Sequence, residues 1–195
     1  MHVGLFGGSF NPPHLGHLIV AETVREQFGL DALWWMPAYQ PPHKTGTALA
    51  AVEHRLAMTQ RAVAENPGFA VSDLEVQRKG TSYTVDTVRT LQAEHPDHTF
   101  SLIIGSDSLH GFSSWHQPEE IIARVPLIVY KRPGSAAAVV ASHFAEQVRF
   151  ADAPLLEISG TEIRQRLLAG RSIRYLVPDA VRTYIHDHKL YTSQL

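Results

Sequence analysis

Short runs of apolar residues recur along this 195-residue chain, separated by longer segments with helical spacing. The runs are His2–Phe6, Ala32–Met36, Phe69–Leu74, Phe100–Ile104 and Leu127–Tyr130. Several are apolar at nearly every position, whereas a strand with one wet face alternates. Such strands need cover on both faces, which a parallel sheet between two helical layers provides. The intervening segments supply the helices: Leu15–Phe28, Val52–Ala64, Thr84–Glu94 and a short one over Pro118–Ala123. In the first, Val20, Val24 and Phe28 repeat at four-residue spacing, and Gly29 marks a stop. Two late helices follow, Thr161–Leu168 and Asp179–His186. The pattern predicts an α/β fold with a doubly wound parallel sheet. A single domain over 1–195 is expected, with a small C-terminal helical portion from about 158 to 195.

Composition removes several function classes. Lysine plus arginine is 17 against 19 for aspartate plus glutamate, a net charge of −2, which disfavours a nucleic-acid binder. Cysteine is absent, which excludes disulfides, thiolate metal sites and cysteine nucleophiles. The N-terminus has no basic stretch followed by a long apolar one, and no run of about 18 apolar residues occurs. A cytoplasmic protein without a membrane span is the expectation.

In doubly wound folds, ligands bind outside the carboxyl ends of the strands. The loop after the first strand reads Gly7-Gly8-Ser9-Phe10-Asn11-Pro12-Pro13-His14-Leu15-Gly16-His17. Its glycines let backbone approach a ligand closely. His14 and His17 share one face of the following helix turn, whose N-terminus favours phosphate. Gly16 removes a side chain between them, leaving room for a docked group. The glycine spacing is neither that of a P-loop nor that of a dinucleotide fingerprint. A bare His-x-x-His would most often be a cap, and two histidines fall short of the four ligands zinc prefers.

Near the other end lies Ile158-Ser159-Gly160-Thr161-Glu162-Ile163-Arg164. Ser159-x-x-Glu162 is a capping box, ordinary helix chemistry by itself. Thr161 and Arg164 add donors at the same helix end, the cluster that a polyphosphate requires.

Together, Gly8-Ser9-Phe10-Asn11-Pro12, His14-x-Gly-His17 and Ile158-Ser-x-Thr-x-Ile-Arg164 resemble the signatures of the HxGH nucleotidyltransferase superfamily. Within it the chain is similar to the bacterial nicotinate-nucleotide adenylyltransferases. The supporting segments are Trp35-Met36-Pro37-Ala38, Pro41-Pro42-His43-Lys44, Gly80-Thr81-Ser82-Tyr83-Thr84-x-Asp86-Thr87, Gly105-Ser106-Asp107-Ser108-Leu109 and Trp115. The resemblance spans nearly the whole chain. It implies a Rossmann-like sheet and transfer of AMP from ATP to nicotinate mononucleotide, giving deamido-NAD and pyrophosphate.

The resemblance assigns His14, His17 and Arg164 to catalysis. It gives Gly7, Gly8, Ser9, Phe10, Ser159 and Thr161, with those three, to ATP. Lys44, Tyr83, Thr84, Gly105, Asp107, Trp115 and Arg132 are the substrate-binding candidates, Lys44 and Arg132 as contacts to phosphates from the loops after the second and fifth strands. Tyr83 and Thr84 match the segment that reads the acid group of the ring. Trp115 is a stacking candidate, and Asp107 a partner for a ribose hydroxyl. The nucleophile is a phosphate oxygen already ionised at neutral pH, so no general base is required. Magnesium is expected on the ATP phosphates, without a dedicated protein cage. One departure is Asn11, where many relatives carry aspartate.

An adenylyltransferase for another phosphorylated acceptor, such as phosphopantetheine, is the nearest alternative. A nucleotide-binding regulator without turnover and a histidine-based metal binder are the others. A second copy of the chain stays open as a partner.

Overall fold

The computed structural model describes residues 1–42, 49–134 and 142–192. Six parallel strands form one sheet: β1 (His2–Gly8), β2 (Ala32–Pro37), β3 (Phe69–Val71), β4 (Thr99–Gly105), β5 (Leu127–Tyr130) and β6 (Val148–Ala151). Their order is β3-β2-β1-β4-β5-β6. The chain reverses its direction of travel between β1 and β4, and the crevice at their carboxyl ends is the ligand position of this topology.

The strands alternate sides with period two. Val3, Leu5, Leu102, Leu127 and Val129 pack on one face with Val85, Val88 and Leu91 of α4 (Thr84–Glu94) and Ile121 of α6 (Pro118–Arg124). Phe6, Leu33, Trp35, Ile103 and Ile128 pack on the other. Their partners there are Val20, Ala21 and Val24 of α1 (Leu15–Gln27) and Val63 of α2 (Val52–Val63). Both faces are covered, as the apolar strands require.

A third cluster joins Met58 of α2 to Ile163 of α7 (Gly160–Leu168) and to Val181 and Ile185 of α8 (Asp179–Asp187). The C-terminal helices thus stand on α2, close to the carboxyl end of β1.

Three elements differ from the sequence expectation. The third strand ends at Val71, and Leu74–Arg78 forms the one-turn helix α3 instead of extending it. Ser72 and Asp73 break the apolar run, and the Ser72 hydroxyl accepts the Leu74 amide at 3.4 Å. A five-residue helix, α5 (Ser106–His110), begins directly at the end of β4. The sixth strand was not anticipated: only the first and last of its four residues are buried, so it carries little apolar signal.

Candidate functional site

A cleft of about 460 Å³ opens at the carboxyl ends of β1 and β4. Gly7, Gly8, Ser9 and Phe10 line it from the first loop, with His14 and His17 beside them. Ser159, Thr161 and Arg164 line it from the start of α7. Thr84, Gly105, Asp107, Trp115 and Arg132 complete the wall. Tyr83 is not among the lining residues; its ring lies against His116, with centroids 4.5 Å apart. Lys44 lies outside the described residues.

The two sequence motifs are in direct contact. Arg164 Nη1 donates to the main-chain oxygen of Asn11 at 2.8 Å, and Nη2 to the Thr161 hydroxyl at 3.2 Å. Gly160 makes the approach feasible: a Cβ there would stand 2.9 Å from the same Asn11 oxygen. The Ser159 hydroxyl accepts the Glu162 amide at 3.1 Å, as the capping pattern predicts.

His14 is the N-cap of α1 and His17 its third residue. Their rings stack, with centroids 3.6 Å apart and planes at 27°. The His14 amide donates to His17 Nδ1 at 3.2 Å, so the proton of the His17 ring sits on Nε2. Burial, with Arg132 adding its charge, pushes His14 down to about 3, so this ring is neutral at physiological pH. His14 Nδ1 is buried without a hydrogen-bond partner.

Gly16 serves packing, contrary to the docking room expected of it. A Cβ there would lie 3.1 Å from His14 Nδ1, so the imidazole itself fills the space. The helix amides are also less open than expected. Leu15 donates to the Leu176 carbonyl at 2.9 Å, and His17 to the His14 carbonyl at 3.0 Å. Two of the first three amides of α1 are therefore already engaged within the protein.

Two residues that shape the cleft escaped the sequence reading. Arg55 of α2 is 1% exposed and donates four bonds, all to carbonyls: Ser9 (3.0 Å), Ala38 (2.6 Å), Tyr39 (3.0 Å) and Ala50 (3.0 Å). It fastens the loops after β1 and β2 to each other. Its signal was its place on the buried stripe of α2, with Val52, Met58 and Val63. The other is Glu75 of α3, buried and lining the cleft, for which the pattern offered no sign.

Asn11 is 4% exposed, and its Oδ1 accepts the Ala50 amide at 3.0 Å and the Tyr191 hydroxyl at 2.7 Å. Asp107 Oδ2 accepts from Arg132 Nη1 at 2.8 Å. Trp115 is partly buried and packs on Phe112, ring centroids 5.3 Å apart. Among the described residues no group of three or more His, Cys, Asp or Glu stands ready for a metal ion, and no helix is long and apolar enough to cross a membrane.

Residues 5–166 match the model of a family described as cytidylyltransferase-like. A Salinibacter ruber protein named probable nicotinate-nucleotide adenylyltransferase is 63% identical over 191 residues, covering 98% of each chain. One of the same name from Exiguobacterium sibiricum is 45% identical over 193 residues, covering 99% of this chain and all of its own. The solved structure of Plasmodium falciparum nicotinic acid mononucleotide adenylyltransferase complexed with NaAD superposes with TM-score 0.80. It is 20% identical and covers 97% of both chains, a likeness of fold.

Proposed function

The chain belongs to the cytidylyltransferase-like family, in its nicotinate-nucleotide adenylyltransferase branch, and on that premise we propose how its cleft carries out the reaction. The enzyme transfers AMP from ATP to nicotinate mononucleotide, a step of NAD biosynthesis. A phosphate oxygen of the mononucleotide attacks the α-phosphorus of ATP. The bond to the β-phosphate oxygen breaks, and pyrophosphate leaves with that electron pair. No proton has to be removed from the nucleophile, so positioning and charge stabilisation supply the catalysis.

The observation that carries this reading is the Arg164–Asn11 contact, which brings the two phosphate-binding stretches to one cleft. His17 Nε2–H and neutral His14 serve the α-phosphate, where charge builds in the transition state. Arg164, Ser159 and Thr161 face the β- and γ-phosphates, with Gly7, Gly8, Ser9 and Phe10 beneath the nucleotide. Thr84 at the start of α4 offers its amide to the acid group of the ring, and Trp115 stacks on it. Tyr83, outside the lining, contributes by fixing the helix start. Lys44, Gly105, Asp107 and Arg132 are assigned to the acceptor and its riboses.

Magnesium arrives as part of the nucleotide substrate. The cleft carboxylates are engaged elsewhere, Asp107 by Arg132 and Glu75 by Thr87, while the donors of the phosphate end suit polyphosphate oxygens rather than a bare cation. Phosphate oxygens and water complete the coordination of such a hard ion. The setting is cytoplasmic.

Pyrophosphate release with ATP and magnesium tests the reading, offering nicotinate mononucleotide, nicotinamide mononucleotide and phosphopantetheine in turn. Release is expected with the first above all. Release with phosphopantetheine alone overturns it.

A further inference from the structure

Glu75 is a glutamate buried in the wall of the substrate cleft, and burial pushes its carboxyl up from the ordinary value. Three groups compensate it. The Thr87 hydroxyl donates to Oε1 at 2.7 Å. The Ser82 hydroxyl also hydrogen-bonds to the carboxyl, and Arg78 adds its positive charge. Arg78 Nη2 also donates to the Thr87 oxygen at 3.0 Å.

The two hydroxyls bracket the start of α4. Ser82 precedes the N-cap Tyr83, Thr84 is the first helical residue, and Thr87 closes the first turn. Ser82 is fixed further, since its oxygen accepts the Tyr39 amide at 2.9 Å. The Ala38 carbonyl of that same peptide unit takes the 2.6 Å bond from Arg55. A chain of hydrogen bonds thus runs from the buried Arg55 cation, through one peptide unit and Ser82, to the buried Glu75 carboxylate. Each link polarises the next, which helps both charges tolerate burial.

We propose that Glu75 is a positioning residue for the choice of acceptor. Its carboxylate, held between Ser82 and Thr87, sets the placement of the Thr84 amide that receives the acid group of the pyridine, a role that rests on the acid ring docking at that end of the cleft. A carboxylate is suited to this because it can accept from two hydroxyls at once. Removing it takes this acceptor from Ser82 and leaves the Thr87 hydroxyl with only the Tyr83 carbonyl of its own helix, at 3.3 Å, and the segment between them loses its tie to α3. The phosphate end of the cleft, built from the first loop and α7, keeps its own ties, the Arg55–Ser9 and Arg164–Asn11 bonds, which do not involve Glu75 directly.

The test is steady-state kinetics of Glu75→Ala, Glu75→Gln, Thr84→Ala and Thr84→Pro, with thermal melting of each. Proline fits a first helical position and removes the amide together with the threonine side chain, so its effect is read relative to Thr84→Ala, which keeps the amide; Tyr83, at φ −79° and ψ 126°, is already in the conformation that precedes proline. Glu75→Ala is expected to raise KM for nicotinate mononucleotide about tenfold, with kcat and KM for ATP within about twofold. Glu75→Gln, which keeps an acceptor, is expected to stay within about threefold of the parent. Equal changes in both KM values, a fall in kcat alone, no change, or a Gln variant as impaired as Ala overturns the role. Where Thr84→Pro raises the acceptor KM and Glu75→Ala does not, the docking end stands and the role of Glu75 falls. Where Thr84→Pro leaves the acceptor KM unchanged, the docking end falls and the role with it. If Glu75→Ala does not fold, Ser82→Ala and Thr87→Val, each removing one donor, carry the same test, with about threefold increases expected in the acceptor KM alone.

Discussion

Arg164 and Asn11 stand 153 positions apart in sequence and are joined by one 2.8 Å hydrogen bond from guanidinium to main-chain oxygen. The bond fastens the start of α7 to the loop after β1, and the cleft between them has a fixed width as a result. Gly160 is the clearance for this contact, because the nearest atom to an added Cβ is the backbone oxygen of Asn11, which cannot swing aside. Gly160→Ala is therefore expected to separate the two stretches. A misplacement of an ångström can cost about a hundredfold. The expected fall in kcat/KM for ATP is at least about tenfold, with a thermal melt that remains cooperative. An alanine variant of full activity would show that the spacing is not set at this point.

His17 presents Nε2–H, since Nδ1 accepts the His14 amide. A donor aimed at developing charge acts mainly in the transition state. His17→Ala should lower kcat by at least about tenfold and leave KM for ATP nearly unchanged. Rapid-quench measurement of the chemical step checks this directly. An unaltered rate would remove the imidazole from the mechanism.

Much of this architecture was legible because parallel strands covered on both faces leave an apolar record. The first loop and the α7 start were legible because their chemistry sits in contiguous residues. Arg55 was not, since one arginine in an amphipathic helix is usually a solvated end of it, and only its register with Val52 and Met58 marks it as buried. Glu75 sits on a helix of five residues, too short for periodicity to appear. Gly16 was misread because its neighbour in space is the ring of His14, a contact that depends on side-chain direction rather than spacing.

Arg55 makes four bonds from one planar group, a geometry that an ammonium cannot reproduce. Arg55→Lys leaves several of these carbonyls, part-buried or buried, without donors. A loss of about 2–4 kcal/mol in unfolding free energy is expected. Activity should fall in parallel, because Ser9 and Ala38 both line the cleft. Urea denaturation gives the first quantity, and a variant within about 0.5 kcal/mol of the parent would contradict it.

Asn11 contributes one buried oxygen to two donors, Ala50 N–H and Tyr191 O–H. An aspartate accepts both as well, with Arg164 already bonded to the main chain of this residue. Asn11→Asp should hold stability within about 1 kcal/mol, whereas Asn11→Ala, which orphans both donors, should cost about 2 kcal/mol. Equal losses in the two variants would mean that the amide nitrogen, not the shared oxygen, matters.

His14 makes stability depend on pH in a predictable direction. Its folded value is about 3 against an ordinary 6.5, through burial first and the charge of Arg132 second. Between those limits the unfolded chain binds a proton that the folded one refuses, so stability falls as pH falls. The slope from this group approaches about 1.4 kcal/mol per pH unit well below 6.5. Glu75, raised by burial, acts with the opposite sign above its ordinary value. The contribution of His14 is therefore isolated by difference, comparing the parent with His14→Asn, which has no titrating ring, by urea denaturation from pH 7 to pH 4.5. The parent should lose more stability over this range than the variant. Parallel curves would mean that the His14 ring accepts its proton at the ordinary pH despite its burial.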